Sequence, residues 1–160
     1  MDLRPQNPTA GIDSSAPVLR EVVTHSAEET VEFGRRLAKQ IKPPCLILLE
    51  GELGSGKTTL VKGMVAGLGA AREEEVTSPS FTLVHEYGHE RKVYHVDLYR
   101  IEGARDFASL GLEDLFEENA TVIVEWGERI SDNAPGLQWR VRLEYVTNDE
   151  RRIAVESLRA

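Results

Sequence analysis

The stretch Gly51-Glu52-Leu53-Gly54-Ser55-Gly56-Lys57-Thr58 limits what this chain can fold into more than any other. It matches G-x-x-x-x-G-K-[ST], a pattern in which a strand ends, the backbone curls and a helix begins within a few residues. Both flanks agree with that demand. Leu46-Ile47-Leu48-Leu49 is an apolar run suited to a buried strand, and Leu60, Val61, Met64, Val65 and Leu68 recur at helical spacing. The glycines let successive amide N–H groups approach a phosphate without interference from a Cβ. A helix beginning near Lys57 adds about half a positive charge at its N-terminus. The Lys57 ammonium suits β- and γ-phosphates, and the Thr58 hydroxyl is a hard oxygen suited to Mg²⁺. The expected ligand is a nucleoside triphosphate with Mg²⁺, held by Leu53, Gly54, Ser55, Gly56, Lys57, Thr58 and Thr59.

Around this unit the chain alternates between helical and strand patterns. Residues 1–18, with Pro5, Pro8 and Pro17, lack an apolar period and read as a flexible tail; residues 19–160 read as a single domain. Leu19 to Val23 suggests a short edge strand. Ser26-Ala27-Glu28-Glu29 has the form of a capping box for a helix carrying Val31, Gly34, Leu37, Ala38 and Ile41, which Pro43 and Pro44 should end. Gly69 should cap the helix that starts at Lys57. Arg72-Glu73-Glu74-Glu75 reads as a solvated charge run. Phe81 to Tyr87 and Lys92 to Tyr99 form a hairpin pattern, and Gly103 to Glu118 suggests two short helices. Thr121 to Glu125 is a short apolar strand ending in a carboxylate. Gln138 to Val146 alternates, with Trp139, Val141, Leu143 and Tyr145 facing one way and Arg140, Arg142 and Glu144 the other, before a turn into Arg151 to Leu158. The predicted fold is α/β: a P-loop NTPase-like three-layer sandwich with a mostly parallel central sheet and antiparallel hairpins at its margins.

Composition narrows the function classes. A net charge of −8 argues against a broad nucleic-acid-binding surface, because phosphate contacts need clustered lysine and arginine. The single cysteine, Cys45, excludes an internal disulfide framework and suits a small buried hydrophobe. The chain has no apolar run long enough to span a bilayer and no signal-like N-terminus, so a cytoplasmic protein without membrane contact is expected.

A phosphate loop only binds; hydrolysis needs acids near Mg²⁺ and a group that places the attacking oxygen. Glu125, at the carboxyl end of an apolar strand, and Asp97, following Val93-Tyr94-His95-Val96, are the candidate acids, with Lys57 beside them as a catalytic cation. Thr58, Glu125 and Asp97 are the candidate Mg²⁺ ligands. Thr77, Ser78 and Ser80 lie where a loop sensing the γ-phosphate would lie, although an ordinary Ser-Pro turn has the same composition. His95 alternates with Asp97 and should share its face as a positioning or hydrogen-bonding group. Trp126 is more often a core residue than a functional one. Arg140 and Arg142, with Arg151, Arg152 and Arg159 nearby, form either a solvated sheet face or a docking surface.

The phosphate loop, Thr77-Ser78-Pro79-Ser80-Phe81-Thr82-Leu83-Val84, His95-Val96-Asp97-Leu98-Tyr99-Arg100 and Val124-Glu125-Trp126 occur here in the order and spacing of the TsaE (YjeE) family. The chain resembles that family from about residue 20 to residue 146. The resemblance implies a bacterial cytoplasmic ATPase required for threonylcarbamoyl modification of the adenosine next to the anticodon in ANN-decoding tRNAs. It implies a TsaB–TsaD heterodimer as partner, with tRNA reached through that complex. It implies that the segment from Ser26 through Ala27 to Glu28, just before the first helix, lies on the adenine side of ATP. Two other classes fit the loop alone: a small-molecule or nucleotide kinase, and a nucleotide-sensing module without relevant hydrolysis. A kinase usually carries an arginine-bearing lid, and the stretch from Arg100 to Asn119 offers only Arg105 beyond Arg100 itself.

Overall fold

The computed structural model of the chain describes residues 18–79, 83–99, 111, 114, 119–130, 134 and 136–158. Among these residues, seven strands and two α-helices follow one another as β1 (Val18–Thr24), α1 (Ala27–Ala38), β2 (Cys45–Glu50), α2 (Lys57–Gly67), β3 (Val84–Tyr87), β4 (Val93–Asp97), β5 (Thr121–Glu125), β6 (Leu137–Tyr145) and β7 (Arg151–Ser157). The strands join one sheet in the order β1-β7-β6-β2-β5-β4-β3. The four inner strands β6, β2, β5 and β4 run parallel, while β3 at one margin and the β7–β1 pair at the other are antiparallel. This is the α/β, P-loop NTPase-like architecture that the sequence pattern predicts.

Position in the sheet explains the character of each strand. β2, β4 and β5 have neighbours on both edges, and β2 and β5 read as continuous apolar runs because both of their faces are covered. Successive side chains of β2 point to opposite faces. Ile47 and Leu49 join the cluster beneath α1 and α2, while Leu46 and Leu48 join Val96, Val122 and Val124 on the other side. Both described helices lie on the first face. They pack closely enough that a Cβ built on Gly63 would stand 1.9 Å from the Val31 carbonyl oxygen, so glycine is a packing requirement there.

Helix ends follow local chemistry. Ser26 Oγ accepts the Glu29 N–H at 3.0 Å, while Glu29 Oε1 accepts the N–H of His25 at 2.9 Å, so the return arm of the capping box reaches one residue further back than predicted. α1 ends at Ala38, ahead of the prolines. Gln40 and Ile41 then donate to the carbonyls of Leu37 and Ala38 in tightened turns that still bury Ile41. At the end of α2, Gly69 (φ 73°) donates to Ala66 and Ala70 donates to Val65, the pair of bonds that a left-handed glycine cap makes.

The charge run is solvated as expected, with Arg72, Glu74 and Glu75 exposed, and Glu73–Glu75 forms a short 3-10 turn in which Glu73 is bonded to Arg35 of α1. The expectation of a shared arginine face is corrected. Arg140 is 6% exposed and does not share an open face with Arg142. The arginines of this region are divided among separate partners: Arg152 pairs with Glu21 and Glu144, and Arg142 with Glu50. Residues 1–17 of the predicted tail, Ser80, Arg100, Arg159 and almost all of the predicted helical stretch from Gly103 to Glu118 lie outside the described residues, whereas Val18, placed in the tail, opens β1. Among the described residues no helix is long and apolar enough to cross a membrane.

Candidate active site

Parallel register brings the chemistry together. Asp97 of β4 pairs with Glu125 of β5, and Glu125 is also level with Leu49 of β2, so both acids emerge beside the loop that follows Glu50. This is the carboxyl edge of the parallel strands, where α/β sheets hold their ligands. An open cleft of about 630 Å³ lies there, walled by residues 53–59, Ser78, Asp97, Glu125 and Trp126.

The loop itself has the form of an anion cradle. Gly56 takes φ 101°, a value that a side chain disfavours, and it caps α2 without a side-chain hydrogen bond. The first turn of α2 contains no acidic residue, so its free N–H groups are open to an external anion. Ser55 Oγ is buried and has no hydrogen-bond partner. Lys57, 5% exposed, donates Nζ to the carbonyl oxygens of Gly51 and Glu52 and stands 4.0 Å from the centroid of the Trp126 ring. Burial lowers its pKa below the usual lysine range, against the opposing pull of Glu125, Glu128, Asp97 and Glu52. A buried cation held by neutral carbonyls beside an uncapped helix is an arrangement that a polyphosphate would complete.

The acids are held by different partners. Thr58 Oγ1 donates to Glu125 Oε2 at 3.0 Å, and His95 Nε2 lies 2.5 Å from the same oxygen. His95 is fully buried, so its contact with Glu125 is shielded from water. Asp97 accepts the Tyr99 N–H at 2.9 Å on one oxygen and the Ser78 hydroxyl at 3.3 Å on the other. Thr58, Glu125 and Asp97 thus bring hard oxygen atoms to one cleft. Two non-glycine residues with positive φ adjoin these acids: Leu83 (69°), whose carbonyl accepts the Asp97 N–H, and Trp126 (65°), next to Glu125. Such conformations cost about 1–2 kcal/mol each and persist only where the surroundings enforce them.

Of the residues singled out in the sequence, 53–59, Ser78, Asp97 and Glu125 converge on one cleft. Ser26 and Ala27 line a smaller adjoining pocket with Thr30, Thr59, Asn148 and Asp149, reached past Gly56 and Arg151. Thr77 lines neither: its N–H donates to Tyr87 Oη and its carbonyl meets His85 Nδ1, so β3 anchors its backbone. Sequence reasoning missed Arg151 and the Asn148-Asp149 turn, which join the site only because β7 folds back along β6. It also undervalued Trp126, although adjacency to Glu125 was a visible signal.

Fold and cleft together define a P-loop NTPase-like protein with two acids beside its phosphate loop. The family described as "Threonylcarbamoyl adenosine biosynthesis protein TsaE" matches residues 24–153. The chain is 33% identical over 133 residues to the tRNA threonylcarbamoyladenosine biosynthesis protein TsaE of Treponema pallidum, covering 83% of this chain and 97% of that one. The protein of the same name from Bacillus subtilis is 37% identical over 131 residues, covering 81% and 80%. The crystal structure of Bacillus subtilis YdiB superposes with a TM-score of 0.70 at 30% identity, covering 89% of this chain and 88% of that one. The chain belongs to the TsaE family, which is named for tRNA threonylcarbamoyladenosine biosynthesis.

Proposed function

We propose that this protein is a cytoplasmic ATPase that binds ATP with Mg²⁺ at the loop 53–59, hydrolyses it slowly alone and works with a TsaB–TsaD heterodimer in tRNA threonylcarbamoyl modification. The observation that carries the ATPase reading is the convergence of Lys57, Thr58, Asp97 and Glu125 on one cleft beside an uncapped helix N-terminus. Backbone N–H groups of the loop and the Lys57 ammonium would hold the β- and γ-phosphates. The small pocket at Ser26, Ala27 and Asn148 would take the base. Thr58, Glu125 and Asp97 would hold Mg²⁺, which when bound neutralises charge between the β- and γ-phosphates. His95 fixes the Glu125 carboxylate, and Ser78 ties the loop after α2 to Asp97. That link makes the loop responsive to whatever occupies the cleft.

Among the described residues, the one arginine lining the cleft is Arg151, whose Nη1 is bonded to the carbonyls of Thr147, Asn148 and Glu150. That commits the Nη1 corner to its own hairpin and leaves the buried Nε without a partner, which supports slow intrinsic turnover and acceleration by a partner that completes the site. The test is phosphate release from ATP with and without TsaB–TsaD, together with tRNA modification in a reconstituted system. Partner-stimulated release of free phosphate is expected. A phosphorylated acceptor in place of free phosphate would make the protein a kinase, and modification that persists with Lys57→Ala would remove ATP from its role.

A further inference from the structure

Arg140 is a buried cation that the proposed reaction does not use directly. It sits on β6 level with Leu48 of β2, and its guanidinium makes contacts on two elements that flank the cleft. Nη1 is bonded to the Glu50 carboxylate, at the root of the phosphate loop, and donates to the Gly127 carbonyl at 3.1 Å. Nη2 donates to the Ile130 carbonyl at 2.8 Å. Gly127 and Ile130 bracket the short turn after Glu125 and Trp126, so one side chain ties the start of the loop to the segment that carries the acid and the indole. Trp126 is held at φ 65°, and the next residue, Gly127, lies so close to β2 that a Cβ there would stand 2.6 Å from Leu48 Cβ. The product of this constraint is an indole placed 4.0 Å from Lys57 Nζ and 5.1 Å from the Tyr99 ring.

Resting on the ATPase reading above, we propose that Arg140 is a positioning residue: its fork fixes the 127–130 turn against Glu50 and thereby sets where Glu125 and Trp126 stand relative to Lys57. A planar guanidinium can bond one carboxylate and two divergent carbonyls at once. A lysine ammonium at the end of a flexible stem cannot reproduce that fork.

A lone Arg140→Met change would leave the half-buried Glu50 with only the exposed Arg142 as a counter-charge, so the informative variants are Arg140→Lys and the double change Arg140→Met with Glu50→Met. Replacing both members of a buried ion pair by apolar residues preserves folding far better than removing one. The chain has two tryptophans, so a Trp139→Phe background leaves Trp126 as the sole reporter. Both variants stay folded, with a midpoint lowered by the loss of the donors to the Gly127 and Ile130 carbonyls, and acrylamide quenching of Trp126 rises. Phosphate release falls about 10²-fold while ATP affinity changes by less than about threefold. Unchanged quenching in a folded double variant overturns the proposal, as does unchanged turnover alongside raised quenching, because the arginine then only satisfies the core. If the background protein itself releases no phosphate, the ATPase reading fails, and the quenching measurement still decides whether Arg140 sets the Trp126 conformation.

Discussion

The two ends of α2 belong to different physical regimes. Along its length it packs on α1 and the sheet through Leu60, Val61, Met64 and Val65, all fully buried and apolar, with Gly63 admitting the backbone of α1. At its first turn the same helix meets a buried lysine, two carboxylates, a buried histidine and a serine hydroxyl without a partner. Close packing is what stabilises a small domain. Buried polar groups left partly unsatisfied do the opposite, and they persist where a ligand completes them. The contrast separates the part of the chain that holds the fold from the part that spends stability on a task.

The sharpest way to break this contrast is Glu125→Gln. The amide keeps the shape but loses the charge, so phosphate release should fall about 10²–10³-fold while the thermal midpoint hardly moves. A large loss of stability with activity retained would reverse the assignment. Gly63→Ala probes the other regime. Its methyl would meet the Val31 carbonyl, at an expected cost of about 3 kcal/mol and a fall in midpoint of roughly 6–12 °C. ATP affinity measured well below the midpoint should be unaltered.

Lys57 offers a third, smaller effect. Burial favours its neutral form, so in the free protein it loses its proton at lower pH than an ordinary lysine. Phosphate charge at the amine would restore the ammonium. Binding should therefore take up protons in the alkaline window between the free and bound pKa values, and affinity should decline as pH rises through it. Calorimetry in alkaline buffers of different ionisation enthalpy measures that uptake, and its absence would place Lys57 away from the phosphates. Ser26→Ala lies on the boundary between the regimes, because Ser26 caps α1 and lines the small pocket. Loss of the cap should cost about 1 kcal/mol, read as a small fall in the melting midpoint.

Much of this was legible along the chain because it is local. The strand, glycine turn and helix at 46–68 are written in one contiguous stretch, and Glu125 ends an uninterrupted apolar run. What escaped depends on pairs distant in sequence. Arg140 and Arg142 look equivalent on an alternating strand, yet β2 lies beside them and places Glu50 within reach of both. The face of β6 that holds Arg140 is covered by the 127–130 turn, which no pattern in residues 137–145 announces. Arg151 enters the site by a hairpin whose register periodicity alone does not fix. Tyr145 reads as a core position from alternation, but the strand outruns the sheet's cover and leaves it 56% exposed, stacked 4.7 Å from the Arg151 guanidinium.

The central claim is that the loop at 53–59 and the Lys57 ammonium receive a nucleoside triphosphate. Titrating ATP with Mg²⁺ into the folded protein by calorimetry tests it most directly. One ATP should bind per chain with measurable heat, and the heat should vanish in a folded Lys57→Ala variant. No heat from well-folded protein, or equal binding by the Lys57→Ala variant, would contradict it.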